Sequence, residues 1–199
     1  MYYVLDCMSP LEAEFYTVEL KSRANRKRWA AGVLFTPSNE IPEFRPPLEA
    51  IELVTEEDNT EVPHVYAELY WDPLPIFSRR LVAALEAAGV DNLQTYDTTL
   101  VSVQGKNPPP PDHYRAVNVV GRVAAADLEK SEINSDVEDR ELSTDFYSLS
   151  VDQKKAKDLL MFRLVENISV VLVHERVKEQ VEAAGITTLS WFQPEEWAG

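Results

Sequence analysis

The sequence predicts an α+β fold, a mixed, mainly antiparallel sheet with a few covering helices. Three observations carry this. Short apolar runs of strand length, rich in valine and aromatic residues, recur along the 199 residues. Two segments show helical spacing that ends in the same glycine-containing string. Thirteen prolines punctuate the chain between these runs; proline lacks the backbone donor that a helix interior or central strand needs.

Taken in order, Tyr2-Tyr3-Val4-Leu5 and Phe15 to Leu20 read as strands. Lys21, Arg23, Arg26, Lys27 and Arg28 form one basic patch, and Trp29 to Phe35 follows as a third apolar segment. Thr36 to Pro47, with four prolines, reads as an extended loop. Leu48 to Val54 and Val62 to Trp71 are further strand candidates. Ser78 is placed to cap a helix reaching Ala88, with Leu81, Val82 and Leu85 on one face. Gly89 supplies the left-handed position after it, and Val90 packs back over the last turn.

Gln94 to Val103 is a strand, and Asn107 to Asp112 a stiff polyproline connector. Tyr114 to Ala124 and Phe146 to Val151 are strands, with a helical turn over Gln153 to Leu159. Leu160 to Val165 and Ile168 to Val173 form two strands joined by a turn at Glu166-Asn167. His174 to Ala184 is the last helix, burying Val177, Val181 and Ala184. Its end, Val181 to Leu189, echoes Leu85 to Leu93. The expected organisation is a β-rich N-terminal part, residues 1–70, with the proline-rich loop, and an α/β domain, residues 71–199.

Charge narrows the function classes. There are 34 acids against 19 bases, a formal net charge of −15. Ten acids lie between Glu40 and Asp72 with only Arg45 opposing them. Eight more lie between Asp127 and Asp145 against Lys130 and Arg140. Such a surface attracts cationic partners and repels nucleic acid and anionic membranes. No apolar run approaches the ~18 residues of a membrane span. The N-terminal string does not read as a signal peptide, and the single cysteine, Cys7, forms no intrachain disulfide and fits a reducing cytoplasm.

Chemistry is sparse. His64, His113 and His174 lie far apart without zinc-motif spacing. Six glycines form no phosphate-binding loop, and there is no Gly-x-Ser-x-Gly elbow. Asn134, Asp136, Glu138 and Asp139 offer oxygen ligands but lack the glycine and terminal glutamate of a calcium loop. No catalytic residue, cofactor or metal site is expected. The basic patch is expected to pair with acids on a neighbouring strand or to cover Trp29.

The order of segments nevertheless resembles a known family. Pro75-Ile76-Phe77-Ser78-Arg79-Arg80-Leu81 runs into a helix; Tyr114 to Val120 and Ala126-Asp127-Leu128-Glu129-Lys130-Ser131 follow. Phe162-Arg163-Leu164 comes next, then Val170 to His174 and a helix ending in Ala184-Gly185-Ile186. This string, from about Trp71 to Trp197, resembles the immunity protein 11 family of bacterial polymorphic toxin systems, typified by myxobacterial members.

The resemblance implies a non-enzymatic cytoplasmic inhibitor that binds a cognate protein toxin, often a nuclease. It gives Asp127, Ser131, Arg163 and Asn118 scaffold roles. Asp127 and Ser131, spaced i, i+4, suit a turn, Asn118 points away from its flanking valines, and Arg163 calls for an acidic partner, for which Asp127 is the candidate. Toxin contacts would then fall on the acidic segments, at Glu56, Glu57, Asp58, Glu61, Asp136, Glu138, Asp139 and Glu141. Two alternatives stand beside this reading: an acidic scaffold or regulatory module docking through the polyproline segment, and a carboxylate-based hydrolase. Self-association is left open.

Overall fold

A computed structural model describes residues 1–21, 26–38, 40–56, 62–102, 113–134 and 143–199, of which 26, 27, 56 and 102 are described by backbone alone. The first strands are β1 (Tyr2–Asp6), β2 (Glu14–Phe15) and β3 (Thr17–Leu20), followed by the short helix α1 (Arg26–Ala30). Next come β4 (Ile51–Glu56), β5 (His64–Val65), β6 (Leu69–Tyr70) and β7 (Ile76–Ser78), then helix α2 (Arg79–Ala87). β8 (Leu93–Ser102), β9 (Tyr114–Val119), β10 (Arg122–Val123), β11 (Glu132–Ile133) and β12 (Phe146–Ser148) precede the single turn α3 (Gln153–Ala156). The chain ends with β13 (Met161–Leu164), β14 (Val171–His174), α4 (Glu175–Ala183) and β15 (Ser190–Phe192).

Two larger sheets organise these elements. One has six strands in the order β3-β4-β8-β9-β7-β6; the other has five, β10-β13-β14-β1-β15. All neighbours are antiparallel except β4 with β8 and β10 with β13. The α+β class with mainly antiparallel pairing is therefore the observed one. Residues on the two sides of position 70 share both sheets: β4, which carries β3 at the edge, pairs with β8, and β1 lies between β14 and β15.

The echoed helix endings belong to two equivalent units. β7 and β8 both run antiparallel to β9, so they are parallel to each other, with α2 connecting them. β14 and β15 stand in the same relation to β1, with α4 connecting them. Each helix starts directly at its strand end, on Ser78 or His174, whose side chain accepts from a first-turn backbone N–H. Each ends on a glycine with positive φ, +95° at Gly89 and +78° at Gly185. There Val90 N donates to Leu85 O and Ile186 N to Val181 O, the bonds that close a Schellman ending.

The core has three parts. The central one joins Phe77, Val117 and Val119 of the first sheet to Leu5, Met161, Val171 and Val173 of the second, beneath Leu81 and Leu85 of α2 and Val177 and Val181 of α4. Each such side chain contributes about 1.5–3 kcal/mol by leaving water. The second sheet buries its other face, through Tyr2, Val4, Phe162, Leu164 and Leu172, against Phe146, Leu149 and Ala156. The first sheet buries its other face, through Leu53, Ile76, Leu100 and Ala116, against Trp29, Phe35 and Leu74. Strands covered on both faces explain the near-continuous valine runs.

Several predicted runs divide in space. Phe15 to Leu20 breaks at Tyr16: β2 pairs with β5 in a separate two-stranded sheet, while β3 edges the six-stranded one. Val62 to Trp71 divides into β5 and β6. Tyr114 to Ala124 ends its first strand at Val119, because Gly121 at φ +104° turns the chain across to the other sheet as β10. The fourth strand starts at Ile51 rather than Leu48, and Phe146 to Val151 is strand only to Ser148. Ala184 is the exposed C-cap of α4, not part of its buried face. The polyproline connector lies outside the described residues. Among the described residues, no helix is long and apolar enough to cross a membrane.

Candidate functional site

Seven of the eight acids expected to make contacts, Glu57, Asp58, Glu61, Asp136, Glu138, Asp139 and Glu141, lie outside the described residues. What the structure defines is their attachment. Glu56 ends β4, opposite Thr17 of β3 in the register. On either side of the second acidic segment, Asn134 N donates to Asp145 O at 3.0 Å and Asn134 Nδ2 to Asp145 Oδ2 at 2.9 Å. Both chain ends of that segment are thus held together at its base by two bonds.

The turn before it is built from Asp127 and Ser131. Ser131 N and Oγ both donate to Asp127 O, at 2.9 and 2.8 Å, and Ser131 Oγ accepts from Ser150 N at 2.9 Å. A short hydroxyl four residues on is what lets a turn close on its own backbone. The Asp127 carboxylate pairs with Lys130 Nζ at 2.5 Å, and this bond holds its pKa below the ordinary value.

Asp127 is therefore not the partner of Arg163, and the expected ion pair is replaced by something different. Arg163 is 1% exposed. Its Nη1 donates to Ile168 O at 2.8 Å and its Nη2 to Trp29 O at 3.2 Å. Trp29 lies in the last turn of α1, where carbonyls lack helical partners and favour a cation. Burial alone lowers the guanidinium pKa to about 10, so it stays charged at neutral pH. Gly32, at φ +62°, lies against it: an added Cβ would meet Arg122 Cγ at 2.8 Å, and Arg163 Cδ and Gly121 O at 3.3 Å. Gly121 N donates to Gly32 O and Arg163 N to Gly121 O, which brings three distant segments into one layer.

Asn118 works on the same segment from the first sheet. Its neighbours Val117 and Val119 face the central core. Asn118 Nδ2 instead donates to Val33 O at 2.8 Å and to Gln94 Oε1 at 3.0 Å. Gln94 Oε1 also accepts from Phe35 N, and Gln94 Nε2 donates to Phe35 O. The stretch from Trp29 to Phe35 is thus held by Arg163 on one side and by Asn118 with Gln94 on the other. Sequence reading missed Gln94, Gly32 and Gly121. Their only signal is a polar residue, or one without a side chain, inside an apolar run.

Part of the basic patch can be placed. Lys21 Nζ pairs with Glu52 at 3.4 Å across β3 and β4. The Arg28 guanidinium lies 5.4 Å from the ring centroids of both Trp29 and Phe35, so it covers the tryptophan as expected.

A second polar group surrounds the half-buried Glu68. The Ser78 hydroxyl donates to its carboxylate, which also accepts from Arg80 Nη2 at 2.5 Å. Beside it, Tyr114 Oη donates to Ala67 O at 2.7 Å, and Ala67 N donates to Tyr70 Oη at 3.0 Å. Burial pushes the Tyr70 hydroxyl up to about 12 and raises Tyr114 as well. A raised phenol pKa contributes stability that is complete below pH 10 and lost as pH climbs through about 12. Alkaline unfolding should therefore begin above pH 10, and tyrosinate absorbance should rise together with loss of far-ultraviolet circular dichroism. Tyrosines titrating fully while the fold persisted would contradict this.

The Ser78 hydroxyl, though it donates to the Glu68 carboxylate, is fully buried and also accepts from Leu81 N as the cap of α2. Among the described residues, no group of three or more His, Cys, Asp or Glu is placed to hold a metal ion. The hydrogen bonds of Arg163, Asn118 and Ser131 order backbone. No curated protein matches the chain. A family model does match, over residues 12–195, and it describes the immunity protein family (Imm11). The match begins nearly sixty residues before Trp71 and takes in the N-terminal strands β2 to β6.

Proposed function

Since the chain belongs to the Imm11 immunity protein family, we propose that it binds a cognate protein toxin in the cytoplasm and neutralises it without catalysis. The family match across residues 12–195 carries this reading. The net charge of −15 supports a cationic target, and nuclease toxins fit because a site that attracts phosphate is basic. An acidic inhibitor steers into such a site and occupies it. The acids at Glu56, Glu57, Asp58 and Glu61 and at Asp136, Glu138, Asp139 and Glu141 are the proposed contacts. Asp127, Ser131, Arg163 and Asn118 act as scaffold, since their hydrogen bonds go mainly to backbone.

The test is a titration of purified cognate toxin. Inhibition should saturate at a fixed stoichiometry rather than substoichiometrically, as turnover would require. The association rate should fall by about 10-fold or more between low salt and 0.5 M salt, because screening removes steering. A salt-independent association rate would refute the electrostatic part, and substoichiometric protection would refute the binder.

A further inference from the structure

Arg163 is a buried cation whose charge no carboxylate of the described residues balances. Its two hydrogen bonds go to the neutral carbonyls of Trp29 and Ile168, and its Nε is buried without a partner. A guanidinium carries five donors, so the side chain keeps unused capacity. It also lines a cavity of about 280 Å³, walled by Ala30, Trp71, Pro73, Leu74 and Pro75, with Asp72 and Ser169 beside them. Asp72 is exposed and engaged in an interaction of its own. Ser169 is exposed as well. The Trp71 ring centroid lies 5.8 Å from Arg163 Cζ.

We propose that this cavity is a carboxylate-binding site, in which Arg163, at its buried wall, receives a single carboxylate. The side-on face of a guanidinium matches the two oxygens of a carboxylate in a bidentate pair. The apolar walls select against a phosphate dianion, whose desolvation costs more than one guanidinium returns. They suit instead a carboxylate on a short apolar stem. At ~30 Å³ per water, the cavity has room for that group and several waters. The carboxylate comes either from a free small acid or from an aspartate or glutamate side chain of a bound protein. The second source rests on the toxin-binding reading and the first does not.

The experiment is a titration of the full chain at constant ionic strength, followed by nitrogen–proton spectra. It reads the Arg163 Nε–Hε signal, assigned as the one lost in Arg163→Lys, and independently the Trp71 indole signal, assigned by Trp71→Phe. Sodium acetate is one probe, N-acetyl-aspartate amide the other, and sodium chloride the control. Acetate should shift both signals saturably, about 10-fold more tightly than chloride. A similar response to the blocked aspartate assigns the site to a protein side chain; a response to acetate alone assigns it to free acids. Ser169→Phe, which fills the rim from an exposed position, should abolish the shifts while the melting temperature changes little. Linear, unsaturating shifts equal for acetate and chloride overturn the proposal, as do shifts that survive Ser169→Phe. Because no toxin enters this experiment, its failure leaves the stoichiometric inhibition test standing on its own.

Discussion

Arg163→Ala is expected to lower the unfolding free energy by about 3–5 kcal/mol. The substitution strands the carbonyls of Trp29 and Ile168, each costing about 1–3 kcal/mol once buried without a donor. It also leaves a void beside Gly32 and Gly121, which adds a packing loss. Against a total stability of ~5–15 kcal/mol, that is a large fraction, and at this chain length it amounts to about 10 °C in melting temperature. Urea unfolding measures it. Arg163→Met, which keeps most of the volume and removes the buried charge, should lose less. If both variants unfold with the parent, the guanidinium does not hold the Trp29 segment. The effect should be local as well as global: Trp29 amide exchange should accelerate in Arg163→Met even where the global loss is small.

Reversing charge at Glu57, Asp58 and Glu61, or at Asp136, Glu138 and Asp139, is expected to cut protection against the cognate toxin severely. Each triple exchange to lysine changes the charge by six units. Like charges facing across an interface cost several kcal/mol in total, so the association rate should fall about 10- to 1000-fold and inhibition should require proportionally more protein. A thermal melt of each variant separates loss of contact from loss of fold. Stopped-flow association with the toxin measures the rate. Full protection by both triple variants would move the interface away from the acidic segments.

The two expectations differ in how far the sequence leads to them. Charge reversal follows from composition, because an excess of acids is countable without coordinates. The Arg163 effect does not. An arginine between Phe162 and Leu164 signals a buried cation, and a buried cation suggests a carboxylate; Asp127 was the natural choice. In the structure Asp127 satisfies itself three residues away with Lys130. Arg163 instead takes carbonyls from Trp29, 134 positions distant in the chain, and from Ile168. Backbone carbonyls occur at every residue, so no residue type marks the ones that will accept.

Strand breaks show the same division. Tyr114 to Ala124 reads as one run because valine and alanine continue on both sides of Gly121. Whether that glycine bends the chain or merely weakens a strand depends on what lies across from it. Here the answer is Gly32 and Arg163, brought in from other segments. Tyr16 divides β2 from β3 for a similar reason, since their partners, β5 and β4, belong to different sheets.

By itself the sequence determined the local devices: the cap at Ser78, both glycine endings at Gly89 and Gly185, the faces of α2, the α+β class and the acid surplus. These depend on interactions within a few residues, or on counting, so spacing and residue type suffice. Only the tertiary structure decided that those two endings close equivalent units in two sheets, that β1 joins the C-terminal strands, and that Arg163 is satisfied by distant carbonyls beside a cavity. Such pairings form between segments tens of residues apart, and they are chosen by which apolar faces meet, a choice that many sequences with the same periodicity would make differently.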